Sequence, residues 1–230
     1  MSSLPYHIER TKNRTSRATI DGDGVLIRLA RNLSLKEEQR HIDVLLKRMS
    51  KVHARLATTP LIDPFRTLLE GETSLSIQLE NGKQILFDVT ESHRTKAQET
   101  DSGFLIERSK TITKQSFHRF LWKLLSFSEQ EYMEKKMHEI NMRTLRLSIR
   151  NTKLRLTQSR WGSCSHSGKI SLSTALLFVP TTLAEYVITH ELCHILHPNH
   201  SKAFWRTVEE VMPDYKERLK ELKKYRLPRI

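Results

Sequence analysis

Hydrophobic and polar positions along the chain follow two different periods, and each period predicts a type of element. In some segments apolar and polar residues alternate, which is typical of half-buried strands. In others apolar residues recur every three or four positions, which is typical of a helix with one buried face. Because both patterns are mixed along the chain, the sequence predicts an α+β fold. The predicted strands lie at 18–20, 25–29, 75–79, 85–89, 145–149 and 169–173, and the predicted helices at 35–56, 117–125, 129–141, 183–196, 201–212 and 214–225.

Short polar motifs indicate where some of these elements begin or turn. Ser34, Ser128 and Thr182 are each followed three positions later by Glu, the spacing of a capping box at a helix N-terminus. Asn81-Gly82 separates two alternating segments, and this pair favours the positive φ angles of a type I′ turn. The sequence therefore predicts three capped helices and a hairpin around Asn81-Gly82.

Residues 90–112 are polar and irregular, interrupted only by the apolar run 104–106. We place a domain boundary after this segment. The prediction is a β-rich N-terminal region with one long helix at 1–112, followed by a more helical domain at 113–230.

Composition excludes several classes of protein. No apolar run approaches the ~18 residues of a membrane-spanning helix. The first 17 residues are polar and basic, without the apolar segment of a signal peptide. The two cysteines exclude a disulfide framework and favour a reducing compartment. We expect a soluble, cytoplasmic protein without membrane contact.

The net charge of +13 has two interpretations. It could indicate an acidic partner such as nucleic acid, or a solvated surface that maintains solubility. No sequence signature of a nucleic-acid-binding fold is present. We therefore favour the solvated surface and expect weak, non-specific nucleic-acid binding at most. The closest group of basic residues consists of Arg143, Arg146, Arg150, Lys153, Arg155 and Arg160.

The segment His190-Glu191-Leu192-Cys193-His194 carries the clearest chemical signal. On a helix, His190 and His194 lie one turn apart on the same face, so that both imidazoles can reach one ion. Glu191 lies about 100° around the helix, where it can contact a metal-bound water. This arrangement is typical of zinc peptidases, in which two histidines bind the metal and a glutamate is the general base.

A third metal ligand is expected just beyond this helix. His200 follows His194 by six residues and comes after Pro198, which ends the helix. His197 is the alternative, because it is nearly aligned with His190, although it lies about 10 Å further along the helix axis. We favour His200 as the ligand and expect His197 to be near the site or solvated.

Several motifs, in this order, resemble those of the YgjP-like metallopeptidase family. The resemblance is strong over 115–225 and weaker over 14–90. It implies a zincin-like catalytic unit of helices and a small sheet, with Zn²⁺ bound by His190, His194 and His200 and with Glu191 as the base. Ser173 departs from the usual Asn of the family. The motifs are Ser159-Arg160-Trp161-Gly162-Ser163-Cys164, Gly168-Lys169-Ile170-Ser171-Leu172, His190–His194, Asn199-His200-Ser201, Phe204-Trp205 and Pro213-Asp214-Tyr215.

Other residues near these motifs have structural as well as functional interpretations. Arg160 could bind a substrate carbonyl or carboxylate, or it could serve only the structure of its loop. No sequence context indicates that Cys164 is a nucleophile. Cys193, Phe204 and Trp205 are expected in the core, because a free cysteine usually behaves as a small apolar residue.

The sequence as a whole predicts a zinc metallopeptidase that acts on a peptide or protein substrate. The alternative is a nucleic-acid-associated protein with a structural zinc site, or a protease recruited to nucleic acid. The idea of a protease recruited to nucleic acid rests on analogy with SprT-like zincins, which act on proteins crosslinked to DNA. A structural zinc site is closed by four protein ligands, whereas a catalytic site keeps a water.

Overall fold

The computed structural model describes residues 5–21, 24–59 and 61–230. Contacts divide the chain into two compact units on either side of residue 60. The described residues form seven α-helices and three small mixed sheets, which confirms the α+β fold and the β-rich N-terminal region. No helix among these residues has the length and apolar character needed to cross a membrane.

The first unit is a three-stranded sheet covered by one long helix. The sheet order is β1-β3-β2, with β1 parallel and β2 antiparallel to β3. Its apolar residues, including Val25 and Ile27, pack against Ile42 and Met49 of the helix. The capping box of Ser34 and Glu37 is confirmed, and Gly22 and Asp23 of the predicted turn lie outside the described residues. The elements are β1 (Tyr6–Arg10), β2 (Arg17–Asp21), β3 (Gly24–Leu29) and α1 (Leu35–Thr58).

The second unit begins with a short helix and a four-stranded sheet of order β4-β5-β7-β6. Two of its strands lie where the sequence predicted irregular structure. The strand β6 is at the edge and mostly exposed, so its sequence has no apolar alternation. In β7, Phe104 and Ile106 are buried and Leu105 is exposed. The elements are α2 (Arg66–Glu70), β4 (Ser74–Gln78), β5 (Gln84–Ser92), β6 (Lys96–Thr100) and β7 (Gly103–Ser109).

The hairpin of β4 and β5 is confirmed, but its turn is not type I′. Gly82 has a φ of 84°, whereas Asn81 is not among the residues with positive φ. The Gly82 amide donates to the Leu79 carbonyl, and the Leu79 amide donates to the Lys83 carbonyl. These bonds define a three-residue loop with one left-handed glycine, the next most common hairpin connection.

Five further helices form most of the remaining chain. Thr113 caps the first and Ser201 the fourth. The capping boxes predicted at Ser128 and Thr182 are wrong, because Ser128 ends a helix and Pro180 precedes the helix that contains Thr182. The helices are α3 (Lys114–Ser128), α4 (Gln130–Arg143), α5 (Thr181–Leu196), α6 (Lys202–Val211) and α7 (Tyr215–Leu222).

The third sheet lies between α4 and α5 in the sequence and has the order β8-β10-β9. The strand predicted at 145–149 is wrong, since β8 begins at Asn151. Instead, the buried side-chain amide of Asn141 bonds to both the amide and the carbonyl of Leu147, each at 2.8 Å, and so replaces a strand partner. The elements are β8 (Asn151–Arg155), β9 (Gly162–Cys164), β10 (Lys169–Ser173) and a 3₁₀ turn at Thr174–Phe178.

One apolar core joins the sheets and helices of the second unit. Phe87 and Phe104 of the four-stranded sheet share this core with Phe117 and Trp122 of α3. The contact boundary therefore lies at residue 60, and both sides of position 112 contribute to one core. The domain division predicted after residue 112 stays a prediction. The helix α5 is central and contacts α4, α6, α7, β9 and β10.

Candidate metal centre

Three histidines from α5 and the loop after it point their ring nitrogens at one place. His190, His194 and His200 each offer a nitrogen, and these nitrogens lie within 4.8 Å of one another. The Nε2 atoms of His190 and His200 are 3.0 Å apart. The structure thus brings together the three residues that the sequence proposed as metal ligands.

The end of α5 places His200 opposite the helix. The helix ends at Leu196, and His197 is extended with φ −130° and ψ 98°, as expected for a residue before proline. Residues 198–200 then turn back, and Ser201 caps the N-terminus of α6. Two helix boundaries therefore fix the position of His200.

The carbonyl of His197 orients a neighbouring imidazole. His194 Nδ1 lies 3.0 Å from the His197 carbonyl oxygen, so Nδ1 carries the proton and donates it. This bond fixes the tautomer of His194 and leaves its Nε2 lone pair available to a metal. The ring of His197 itself lies elsewhere, with Nε2 3.1 Å from Thr207 Oγ1.

Aromatic rings support the cluster from α6. The fully buried Phe204 has its ring centroid 4.6–4.9 Å from those of all three histidines. Trp205 stacks on His200 at 5.6 Å and on Tyr215 at 5.4 Å. Phe204 is a core residue as predicted, whereas Trp205 is half-buried and lines a cavity.

Burial keeps two of the imidazoles, those of His190 and His194, in the neutral form that binds a divalent metal. Burial, with His194 and His200 adding to it, lowers the pKa of His190 to about 3. Burial also lowers the pKa of His194. Three imidazole nitrogens form a donor set that zinc prefers, so the residues present fit a zinc ion.

Unsatisfied polar atoms are concentrated at this point of α5. Among the described residues, Thr189 Oγ1, His190 Nδ1 and Glu191 Oε2 are buried without a hydrogen-bond partner. Each such group costs about 1–3 kcal/mol when left unpaired. Successive helix residues point about 100° apart, and of the three atoms it is Glu191 Oε2 that belongs to a carboxylate lining the cavity, where a ligand could pair with it.

Glu191 lies against the edge strand β9, where a glycine makes room for it. A Cβ atom at Gly162 would lie 2.6 Å from both Cγ and Oε1 of Glu191. Burial raises the pKa of Glu191 to about 7, and Arg160 partly opposes this effect. The sequence analysis named Gly162 only as part of a motif. A glycine within a strand often marks a close approach, and this signal could have identified it.

A cavity of about 540 Å³ opens between β9 and α5 in front of the three histidines. Arg160, Cys164, Tyr186 and Glu191 contribute to its walls. Burial and the nearby Glu191 raise the pKa of the Cys164 thiol to about 11, so this cysteine is protonated at neutral pH and is a poor nucleophile. Cys193 is fully buried, as predicted.

Known proteins similar to this chain are a protein family and a solved structure. The family model of the YgjP-like metallopeptidase domain matches residues 14–225 of the chain. No curated protein is similar enough to the chain to count as a match. Among solved structures, the chain is similar to the metallopeptidase zymogen of Pyrococcus abyssi abylysin, with 26% identity and a TM-score of 0.36. That match covers 39% of this chain and 90% of the other.

Proposed function

This chain belongs to the YgjP-like metallopeptidase family, and on that premise we propose that it hydrolyses peptide bonds with zinc held by His190, His194 and His200. The observation that carries the proposal is the convergence of these imidazoles beside the buried carboxylate of Glu191. Among the described residues, no cysteine or carboxylate joins the cluster as a fourth ligand. Three ligands favour a catalytic site over a structural one, because a catalytic zinc keeps a position for water.

Zinc bound there would polarise the substrate carbonyl and lower the pKa of the attacking water. Glu191 is the residue suited to receive the proton of that water. Its raised pKa, about 7, is close to the pH of the cytoplasm that we expect for this protein, and general-base catalysis is most effective near that match. The protonated Glu191 would then transfer the same proton to the leaving amine.

An extended peptide is the substrate that the cleft fits best. In the sheet order β8-β10-β9, the strand β9 is an edge, and no other described strand pairs with its outer side. A peptide could add to this edge through main-chain hydrogen bonds. Arg160 lines the same cavity and could bind a substrate carbonyl or carboxylate.

The role of Glu191 is tested by the variant Glu191→Gln. The amide cannot accept the proton, so we expect a loss of activity of about 10²–10⁴-fold. Zinc content, measured by elemental analysis after dialysis, should remain close to that of the wild type because Glu191 is not among the proposed ligands. Loss of zinc, or wild-type turnover of a peptide substrate, would contradict the assignment.

The contact of Gly162 with Glu191 provides a second test of the same carboxylate. In Gly162→Ala the new methyl group would occupy the space of Glu191 Cγ and Oε1, so the carboxylate must move. We expect a lower kcat with unchanged zinc content. Ser163→Ala, one residue further along β9, is the matched control and should keep most of the activity. Equal effects of the two substitutions would show that the close contact between Gly162 and Glu191 is not needed for catalysis.

A further inference from the structure

The chain has a long segment without acidic residues, and of its basic side chains the proposed function uses only Arg160. Residues 140–184 contain seven Lys and Arg residues but no Asp or Glu. This segment includes the whole of the sheet β8-β10-β9. Three of the seven, Lys153, Arg155 and Lys169, lie on strands of this sheet, and the other four lie in α4 or in loops beside the sheet.

The alternation of side chains along the strands places the three strand cations on one face of the sheet. In β8, Lys153 and Arg155 are exposed, whereas Thr152 and Leu154 are buried. On β10, Ser171 lies beside Lys153 and Lys169 lies beside Asn151. We call this side of the sheet the outer face. Its solvent-accessible part on β8 and β10 consists of Asn151, Lys153, Arg155, Lys169 and Ser171, whereas Ser173, beside Arg155, is fully buried.

The cations of the outer face have no acidic partner within the described part of the chain. Lys153, Arg155 and Lys169 form none of its ion pairs, whereas Arg143, outside this face, contacts Glu185 at 3.0 Å. Alternate residues of a strand are about 6.6 Å apart, so Lys153 and Arg155 repel each other without a counter-charge. Two further exposed arginines, Arg146 and Arg150, precede β8. An external polyanion would relieve this repulsion.

The chemistry of the outer face fits phosphate groups. Lys, Arg, Ser and Asn side chains are the common donors to nucleic-acid phosphates. On β8 and β10 the outer face contains no aromatic side chain, and Trp161, opposite Ser173 at the β9 end, is half-buried against the apolar core. These two strands therefore offer no ring on which unpaired bases could stack, as they do on single-strand-binding surfaces. We propose that this face binds the phosphate backbone of double-stranded nucleic acid without sequence selectivity.

The same sheet separates this surface from the cleft. The cleft lies along β9, the edge strand opposite β8 in the order β8-β10-β9, and Gly162 of β9 faces Glu191 there. Nucleic acid on the outer face would therefore leave the cleft accessible to a peptide. Binding at the outer face does not depend on the proposed peptidase activity.

The proposal is tested with the full chain and a fluorescently labelled DNA duplex of about 20 base pairs, between about 50 and 200 mM salt. We expect dissociation constants of about 10⁻⁴–10⁻⁶ M near physiological salt, with affinity that falls steeply as salt rises. The triple variant Lys153→Glu, Arg155→Glu, Lys169→Glu should bind at least tenfold more weakly. The slope of log Kd against the logarithm of the salt concentration should decrease by about three.

The matched control is Lys114→Glu, Arg119→Glu, Lys123→Glu on α3. These residues are exposed, form none of the ion pairs of the described residues, and give the same change in charge. We expect a clearly smaller loss of affinity. An equal loss would show that net charge alone drives binding and would overturn the proposal.

Two further measurements separate loss of charge from loss of fold, and duplex binding from binding of any polyanion. Charge reversal could disturb the sheet, so the neutral variant Lys153→Gln, Arg155→Gln, Lys169→Gln is measured as well, with its folding checked by circular dichroism. This variant should also lose affinity, and wild-type affinity would overturn the proposal. Polyglutamate of equal charge should compete less well than unlabelled duplex. Equal competition, tighter binding of single strands, or tenfold discrimination between two duplex sequences would overturn the assignment.

Discussion

The ligand geometry at the level of single residues depends on how one helix ends. His190 and His194 follow from helical spacing, but His200 reaches them only because the chain leaves the helix at His197 and turns at Pro198. The His197 carbonyl, freed from the helix, then fixes the tautomer of His194. The backbone of residue 197 therefore orients the ring of His194, whereas the ring of His200 is itself a proposed ligand.

This difference predicts opposite sensitivities at two histidines. His200→Ala removes a proposed ligand and should weaken zinc binding by orders of magnitude, as measured by competition with a chromogenic chelator. His197→Ala keeps the carbonyl and removes only the ring contact with Thr207. We expect a change no larger than the 10–100-fold typical of residues that orient ligands. The reverse order of effects would mean that His197 is a ligand.

The sequence could predict part of this site and not the rest. The spacing of His190, Glu191 and His194 is a local property of one helix, so it could be recognised directly. The contact between Gly162 and Glu191 joins positions 29 residues apart. A glycine in a strand can suggest a close approach, but the local sequence does not tell which distant residue approaches it. The choice between His200 and His197 depended on Pro198, whose effect on the helix could be anticipated.

At the level of elements, one carboxylate connects the helix of the metal site with its neighbours. Glu185 of α5 lies 3.0 Å from Arg143 of α4, 3.3 Å from Arg218 of α7 and 3.7 Å from Lys136 of α4. Burial alone would raise the pKa of Glu185, but the ion pairs outweigh it and hold the pKa below its ordinary value of 4.5. The carboxylate was expected to cap α5 and instead holds three helices together.

Loss of this carboxylate should destabilise the second unit. We expect Glu185→Gln to lower the free energy of unfolding by about 1–2 kcal/mol at pH 7, measured by urea denaturation. Because the folded pKa is depressed, the stabilisation is complete above pH 4.5 and is lost as the pH falls through the folded pKa. The difference between variant and wild type should therefore shrink below pH 4.5.

Glu131→Gln is the control for this prediction. Glu131 pairs with Lys135 on the same helix, α4, and both side chains are about three-quarters exposed. Exposed pairs contribute little to stability, so we expect almost no change. If both substitutions cost the same, the network around Glu185 has no special role.

Elements were predicted well where burial produces a clear period and poorly where it does not. The helices α1, α3 and α6 have strong apolar faces and were identified. The edge strand β6 exposes most of its side chains, so it was missed. At 145–149 the alternation suggested a strand, but Asn141 satisfies the backbone of Leu147 from a helix, and such a partner cannot be read from a local pattern.

At the scale of the whole molecule, the two contact units have separate cores. Val25, Ile27, Leu29, Ile42 and Met49 form the core of the first unit, and the proposed ligands all belong to the second. A bound ion stabilises the part of the chain whose folding creates its site. Zinc should therefore affect the two units differently.

This asymmetry can be measured by hydrogen exchange. With zinc at about 100 times its dissociation constant, the second unit should gain about 2.7 kcal/mol of stability. Amides of α5 and of other core elements in 61–230 that exchange by unfolding of the unit should slow by about 100-fold. The exchange rates of amides at 24–59 should not change, and a chelator should reverse the slowing in 61–230. Equal protection of both ranges would show that the units unfold together.

The alternation in β8 also limits how the length of this chain can change during evolution. Lys153 and Arg155 face outward while Leu154 and Thr152 lie in the core, so a shift of one residue in pairing would exchange the two sets. A single-residue insertion within β8 or β10 would place cations among apolar side chains and expose leucine. Insertions and deletions among descendants of this sequence should therefore accumulate in the loops 156–161 and 165–168, while the strands keep their length.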